Sequence, residues 1–167
     1  HYEFETSSRR QDLKSTRFDF ALRFSRPEHL GPLRIRKVAT VSIGRVGLRG
    51  KPESQMGWVE LEDEMQSLPE QKAGRPFREG RRVLQVSSYL SVLESIRTGH
   101  FMGMLPHLYL KQNPGLKLLA PAASIKREVW ALMRESYTAD PHLREFLKRL
   151  SQGFKGFGSE LVNCSKA

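Results

Sequence analysis

The residues of this chain best placed to do chemistry are hydroxyls and backbone amides at helix starts. Thr6-Ser7-Ser8 and Ser87-Ser88 each stand directly before a helical stretch. There a Ser or Thr oxygen caps the first turn, and the orphan N–H groups with the helix dipole favour an anion by about 0.3–1 kcal/mol. Such hydroxyls are also ordinary caps. The acidic side chains Asp19, Glu60, Glu62, Asp63 and Glu64 include a local patch that reads as solvated surface rather than an acid/base pair. His1, His29, His100, His107 and His142 fall at no metal-ligand spacing and read as surface or capping histidines. There is no phosphate loop, no Gly-x-Ser-x-Gly elbow and no Cys–His nucleophile signal. The single cysteine, Cys164, lies near the end of the chain, which excludes an intrachain disulfide and a cysteine metal cage. The pattern points to ligand binding rather than catalysis, with no catalytic residue, metal or cofactor expected.

The elements that must position these hydroxyls fit a chain of 167 residues, 38% hydrophobic and 28% charged. That is enough for one domain, or for two small lobes sharing a core. The net charge of +10 favours anionic partners. The basic residues are scattered in pairs such as Arg9-Arg10, Arg36-Lys37 and Arg81-Arg82, so a generally basic surface is expected ahead of a dedicated nucleic-acid groove. No apolar run approaches the roughly eighteen residues of a membrane span, and His1-Tyr-Glu-Phe4 carries no signal-peptide pattern. The expectation is a cytoplasmic protein without membrane contact.

Along the chain, Tyr2 and Phe4 alternate with polar neighbours as in a strand, and a capped helix follows to about Arg17. Phe18 to Phe24 predicts a strand with Phe18, Phe20, Leu22 and Phe24 on one face. Strand, helix, strand implies a right-handed parallel crossover. Ile35, Val38, Val41, Ile43 and Val46 mark a long β-branched segment, a candidate crossing between lobes, which Gly44, Gly47, Gly50 and Pro52 then break. Trp58–Leu61 and Val83–Val86 predict short strands, with an exposed connection over 67–82 between them. A helix capped by Ser88 and stopped at Gly99 turns Leu93 and Ile96 inward, and Phe101–Leu105 follows as a buried strand. Pro106 suits the first turn of a helix ending before Asn113, and Leu116–Leu119 is extended. Glu128–Met133 predicts the last strand, a second crossing. Asp140-Pro141 caps a final helix whose stripe is Leu143, Phe146, Leu147 and Leu150, before a glycine-rich mobile tail.

Phe18-Asp-Phe-Ala-Leu-Arg-Phe24, the segment from Val86 through Pro106, and Asp140-Pro-His-Leu-Arg-Glu-Phe-Leu-Lys-Arg-Leu150 occur in this order, and in that order the chain resembles the effector-binding domain of LysR-type transcriptional regulators. The resemblance runs from about Tyr2 to Leu150. It implies an α/β fold like the type 2 periplasmic binding proteins, with two Rossmann-like lobes joined by two crossing segments and a small effector between them. On that pattern residues 1–40 and 128–150 form the first lobe, 41–127 the second and 151–167 a flexible tail. The family's domain starts with a further strand and helix, so this chain is expected to begin inside its first lobe.

Carried over by position, Thr6 and Ser7 match the hydroxyl-bearing helix start that contacts effectors, and Phe24 lies at a strand end facing the same cleft. Ser87 and Ser88 make the corresponding start in the second lobe. Where relatives have glycine, leucine, glycine, this chain has Gly99, His100 and Phe101, so Phe101 and Met102 either line an apolar pocket or fill it. The resemblance further implies homodimers or homotetramers, and contact with DNA only through a helix-turn-helix domain outside these residues. A stand-alone solute-binding protein shares the fold. An enzyme on the same two-lobed fold is the less favoured alternative, because it would show convergent charged cleft residues or a cofactor cysteine.

Overall fold

The computed structural model describes residues 19–24, 26, 33–121, 124–135 and 139–158. The expected strand at 2–5, the helix after it, Thr6 and Ser7 lie outside the described residues. The β-branched segment forms one 16-residue strand, β2 (Leu33–Leu48), the spine of the molecule. Its first part pairs antiparallel with β7 (Ile125–Arg134), from Leu33 opposite Arg134 to Ile43 opposite Ile125, with a bulge between Lys37 and Ala39. At Ile43 a partner appears on the other edge: β5 (Phe101–Pro106) runs antiparallel to β2 through Val46, while β6 (Leu116–Leu118) takes over the edge that β7 leaves.

On one side of this change, β1 (Phe20–Arg23) continues the sheet antiparallel to β7. On the other, β3 (Gly57–Leu61) is parallel to both β5 and β4 (Val83–Val86), giving the order β1-β7-β2-β5-β3-β4. The parallel strands are linked by α1 (Pro69–Gly74) and α2 (Tyr89–Arg97). α3 (Leu108–Gln112) follows β5, and α4 (Pro141–Gly158) packs against the outer part of β2.

Alternation along β5 divides the core. Phe101 and Leu105 face α2 with Val46, Val59, Leu61, Val92, Leu93 and Ile96, whereas Met102 and Met104 face Ile43, Met56 and Trp58 on the opposite side. A third cluster lies under α4, where Leu147 covers Val38, Val41, Val129, Ala131 and Met133. α2 forms as read. Ser88 Oγ accepts the N–H of Ser91 at 3.1 Å, and Gly99 ends the helix at φ +75°, a conformation that side-chain-bearing residues avoid.

Five expectations are corrected. Gly44 and Gly47 do not break the strand; they thin it, since a Cβ there would meet His107 Nε2 at 2.6 Å and Met56 Cε at 3.0 Å, and only Gly50, at φ +74°, turns the chain. Pro106 closes β5 at the end of its ladder with β2, and the helix starts after His107, whose N–H donates to the Ser42 carbonyl. The connection over 67–82 is not simply exposed: α1 buries Glu70, Gln71 and Gly74, the last against the Trp58 ring. Leu22 and Phe24 are 42% and 41% exposed, and of the described members of that face Phe20 reaches the α4 core, edge-on to Phe146, while Phe18 lies outside the described residues. Finally, α4 runs on through the glycines to Gly158, because Phe154 prolongs the stripe of Leu143 and Leu147 and packs in the same cluster.

Candidate functional site

Where β2 exchanges β7 for β5, a charged cluster is buried among otherwise apolar surroundings. Arg127 of β7 stands at an inward position of the alternation that continues with Val129 and Ala131. Its Nη1 donates to Glu70 Oε2 of α1 at 2.5 Å. Its Nη2 and Nε donate to the Phe24 carbonyl at the end of β1, at 3.0 and 3.3 Å. The other Glu70 oxygen accepts the phenolic O–H of Tyr89, the first residue of α2, at 2.5 Å. Glu70 is 2% exposed and Arg127 9%, so the pair is almost wholly desolvated. Burial, with the Glu70 charge added, pushes the Tyr89 phenol far above its ordinary range. The neutral phenol is the form that donates to Glu70.

One guanidinium thus joins a strand end of the β1–β7 side to α1, and the Glu70 carboxylate it holds extends the link to α2. A buried ion pair adds little net stability over apolar packing of the same volume, whereas removal of one partner strands a buried charge. Arg presents a planar fork of donors that matches carboxylates. Chemically the arrangement is a buried cation and a hydroxyl donor, both held by one carboxylate.

The residues named from the sequence distribute unevenly around it. Phe24 contributes its backbone carbonyl directly. Ser88 caps α2 and shares a hydrogen bond with Ser91 Oγ, so it anchors the helix that carries Tyr89, and Ser87 beside it is exposed. Phe101 and Met102 go to opposite faces of β5. Phe101 packs on the α2 core with Arg82 above its ring, and Met102 is fully enclosed.

Two further corrections concern titratable groups. Glu60 is not part of a solvated patch; it is 3% exposed and accepts from Arg78, Gln66 and Gln85, since its position on β3 turns it into the fold. His107 is not on the surface either. It is buried against Gly44, burial lowers its pKa below 6.5, and its Nε2 has no partner among the described residues. A second buried cation, Arg45 of β2, pairs with Glu53 and the Ala120 carbonyl and lies 4.1 Å above the Phe77 ring. It ties loops to the core and does not reach the junction cluster. No group of metal-ligating side chains occurs among the described residues, and no described helix is long and apolar enough to cross a membrane.

The long strand pair β2–β7, flanked by a parallel unit and an antiparallel edge, is the setting for a comparison with known proteins. The model of the LysR substrate-binding domain matches residues 2–155. The chain belongs to that family. Among solved structures, the regulatory domain of CrgA, a LysR-type transcriptional regulator from Neisseria meningitidis, superposes with a TM-score of 0.62 at 17% identity, covering 81% of this chain and 75% of that one. The regulatory domain of MetR, a LysR family regulator from N. meningitidis, gives 0.57 at 11% identity, over 84% and 74%. Full-length LysG from Corynebacterium glutamicum, solved with bound effector Arg, gives 0.55 at 16% identity, over 83% of this chain and 51% of that chain. This chain therefore spans about half of a full-length LysR-type regulator. No curated protein matches it. The LysR family fold, mixed α/β and of the type 2 periplasmic-binding-protein kind, is the architecture described above.

Arg127, Glu70 and Tyr89 were not singled out by the sequence reading. A signal for Arg127 exists: in Ile125-Lys-Arg-Glu-Val-Trp-Ala131 it occupies the inward phase, where a charge demands a partner. Nothing local marks Glu70.

Proposed function

We propose that this LysR family domain is the effector-sensing part of a transcription regulator. In this reading a small molecule binds between a first lobe of residues 1–40 and 128–150 and a second of 41–127, and changes the angle between them. The domain passes that change to a DNA-binding domain elsewhere in the protein, through homodimer or homotetramer contacts, in the cytoplasm and without catalysing a reaction. The observation that carries the reading is Arg127, a buried guanidinium on a strand common to both halves that holds groups from each. Two states with different affinity for one ligand are all a switch requires.

The ligand set in this proposal comprises Thr6, Ser7, Phe24, Ser87 and Ser88 with Arg127 and Tyr89, whereas Phe101 and Met102, packed on opposite faces of β5, serve the core. The test is a thermal-shift screen of chemically diverse metabolites on the protein, followed by small-angle scattering with each hit. Stabilisation with a change in interlobe distance is expected, and the double variant Thr6→Ala with Ser7→Ala should lose the response while staying folded. A panel without any stabilising compound, or hits that leave the scattering curve unchanged, would sink the sensor reading.

A further inference from the structure

The effector reading leaves open what chemistry the junction recognises, and the Glu70 contacts answer it. Glu70 meets the cluster as an incoming carboxylate would: one oxygen on Arg127 Nη1 and the other on the Tyr89 hydroxyl, each at 2.5 Å. These are separate donors from separate elements, one for each oxygen of a single planar group. A tetrahedral phosphate would bring further oxygens into a buried space where unpaired acceptors are costly. The Phe24 carbonyl takes two more guanidinium donors, which fixes the plane in which Arg127 presents Nη1.

The side chain that fills this place is held from a short support. α1 has six residues, starts at Pro69 and lacks a side-chain N-cap. It is pinned downstream of Glu70, where Gln71 Oε1 accepts the Leu61 N–H and Gly74 packs on Trp58. The contacts that hold α1 in place are thus separate from those the Glu70 carboxylate makes to Arg127 and Tyr89.

We propose that Arg127 and Tyr89 form the anion subsite of this domain's effector site, that Glu70 occupies it as an internal carboxylate, and that the effectors are small carboxylic acids that bind by displacing Glu70. The proposal rests on the sensor reading and adds the ligand class and the competitor. Displacement couples binding to conformation: the ligand takes the Arg127 contact, and α1 loses its tie to β7 and, through Arg127, to β1.

The test compares the unsubstituted protein, Glu70→Gln, and Glu70→Gln combined with Arg127→Met. Thermal midpoints are measured against acetate, succinate and glutarate at ionic strength fixed with chloride, with inorganic phosphate as the tetrahedral control. Because Glu70 competes with the ligand, Glu70→Gln should respond at carboxylate concentrations about tenfold lower than the unsubstituted protein. The double variant should not respond, and phosphate should stabilise none of them beyond chloride. If Glu70→Gln proves too unstable to assay, Glu70→Asp weakens the same hold and should shift the response in the same direction. Equal carboxylate sensitivity with and without Glu70, no carboxylate response in any variant, or a phosphate response as strong as the carboxylate one would overturn the proposal. A neutral or cationic compound that still stabilises the double variant would overturn it too, while leaving the sensor reading intact.

Discussion

The core around α2 and the junction around Arg127 are built on opposite principles. Against α2, the fully buried Val46, Leu61, Val92, Ile96 and Leu105 bring no polar side-chain group needing a partner. Each contributes about 1.5–3 kcal/mol by leaving water, and any well-packed apolar set would serve. At the junction, Glu70 and Arg127 are also buried, at 2% and 9% exposed, but charged, and their attraction mostly offsets the cost of removing both from water. The core supplies stability without choosing an orientation. The junction supplies specific partners without much net stability, which is what the proposed sensor function asks of it.

The sharpest way to break this contrast is to remove one charge. Arg127→Met leaves the Glu70 carboxylate buried and unpaired, and should cost about 3–5 kcal/mol in urea unfolding. Adding Glu70→Gln to it should recover most of that loss. If the double variant were as unstable as the single, the pair would be a stabilising element and the contrast would fail. Next, Ile96→Ala in the core should cost about 2–5 kcal/mol through lost burial and the cavity left behind. No second substitution nearby short of refilling the volume should restore it.

Smaller effects sharpen the picture at the edges of both regions. Ser88→Ala removes the cap of the helix that carries Tyr89 and should cost about 1 kcal/mol, read as a lower denaturation midpoint at unchanged slope. His107 supplies a pH test. Burial depresses its folded pKa below the ordinary 6.5, so as pH falls below that value the unfolded chain takes up a proton that the folded chain resists. Its contribution is therefore neutral above about pH 6.5 and destabilising as the pH falls toward the folded value. A pH series of unfolding curves should show a loss of stability that His107→Gln flattens. A slope unchanged in that variant would assign the effect to other groups.

The legible parts of the fold were those governed by neighbours in sequence. Ser88 and Gly99 bound α2, the β-branched alternation of 35–46 gave β2, and the spacing of Leu143, Leu147 and Leu150 gave α4. Each follows from a cap, a period or a turn preference that acts over a few residues. The differences over 67–82 and at Glu60 have another cause: Glu70 and Glu60 are buried because partners distant in sequence, Arg127 and Arg78, satisfy them. His107 is instead buried by packing against Gly44, with its Nε2 unpartnered among the described residues.

The candidate site lies on the far side of that divide. The sequence by itself determined the family, the alternation of strands and helices, and the capped start of α2 at Ser88. Only the tertiary structure decided that Arg127 reaches Glu70 across 57 positions and Phe24 across 103. A guanidinium has no sequence preference for one carboxylate over another. The choice is made by strand order and register, which bring one pair within reach and bury it where water cannot compete.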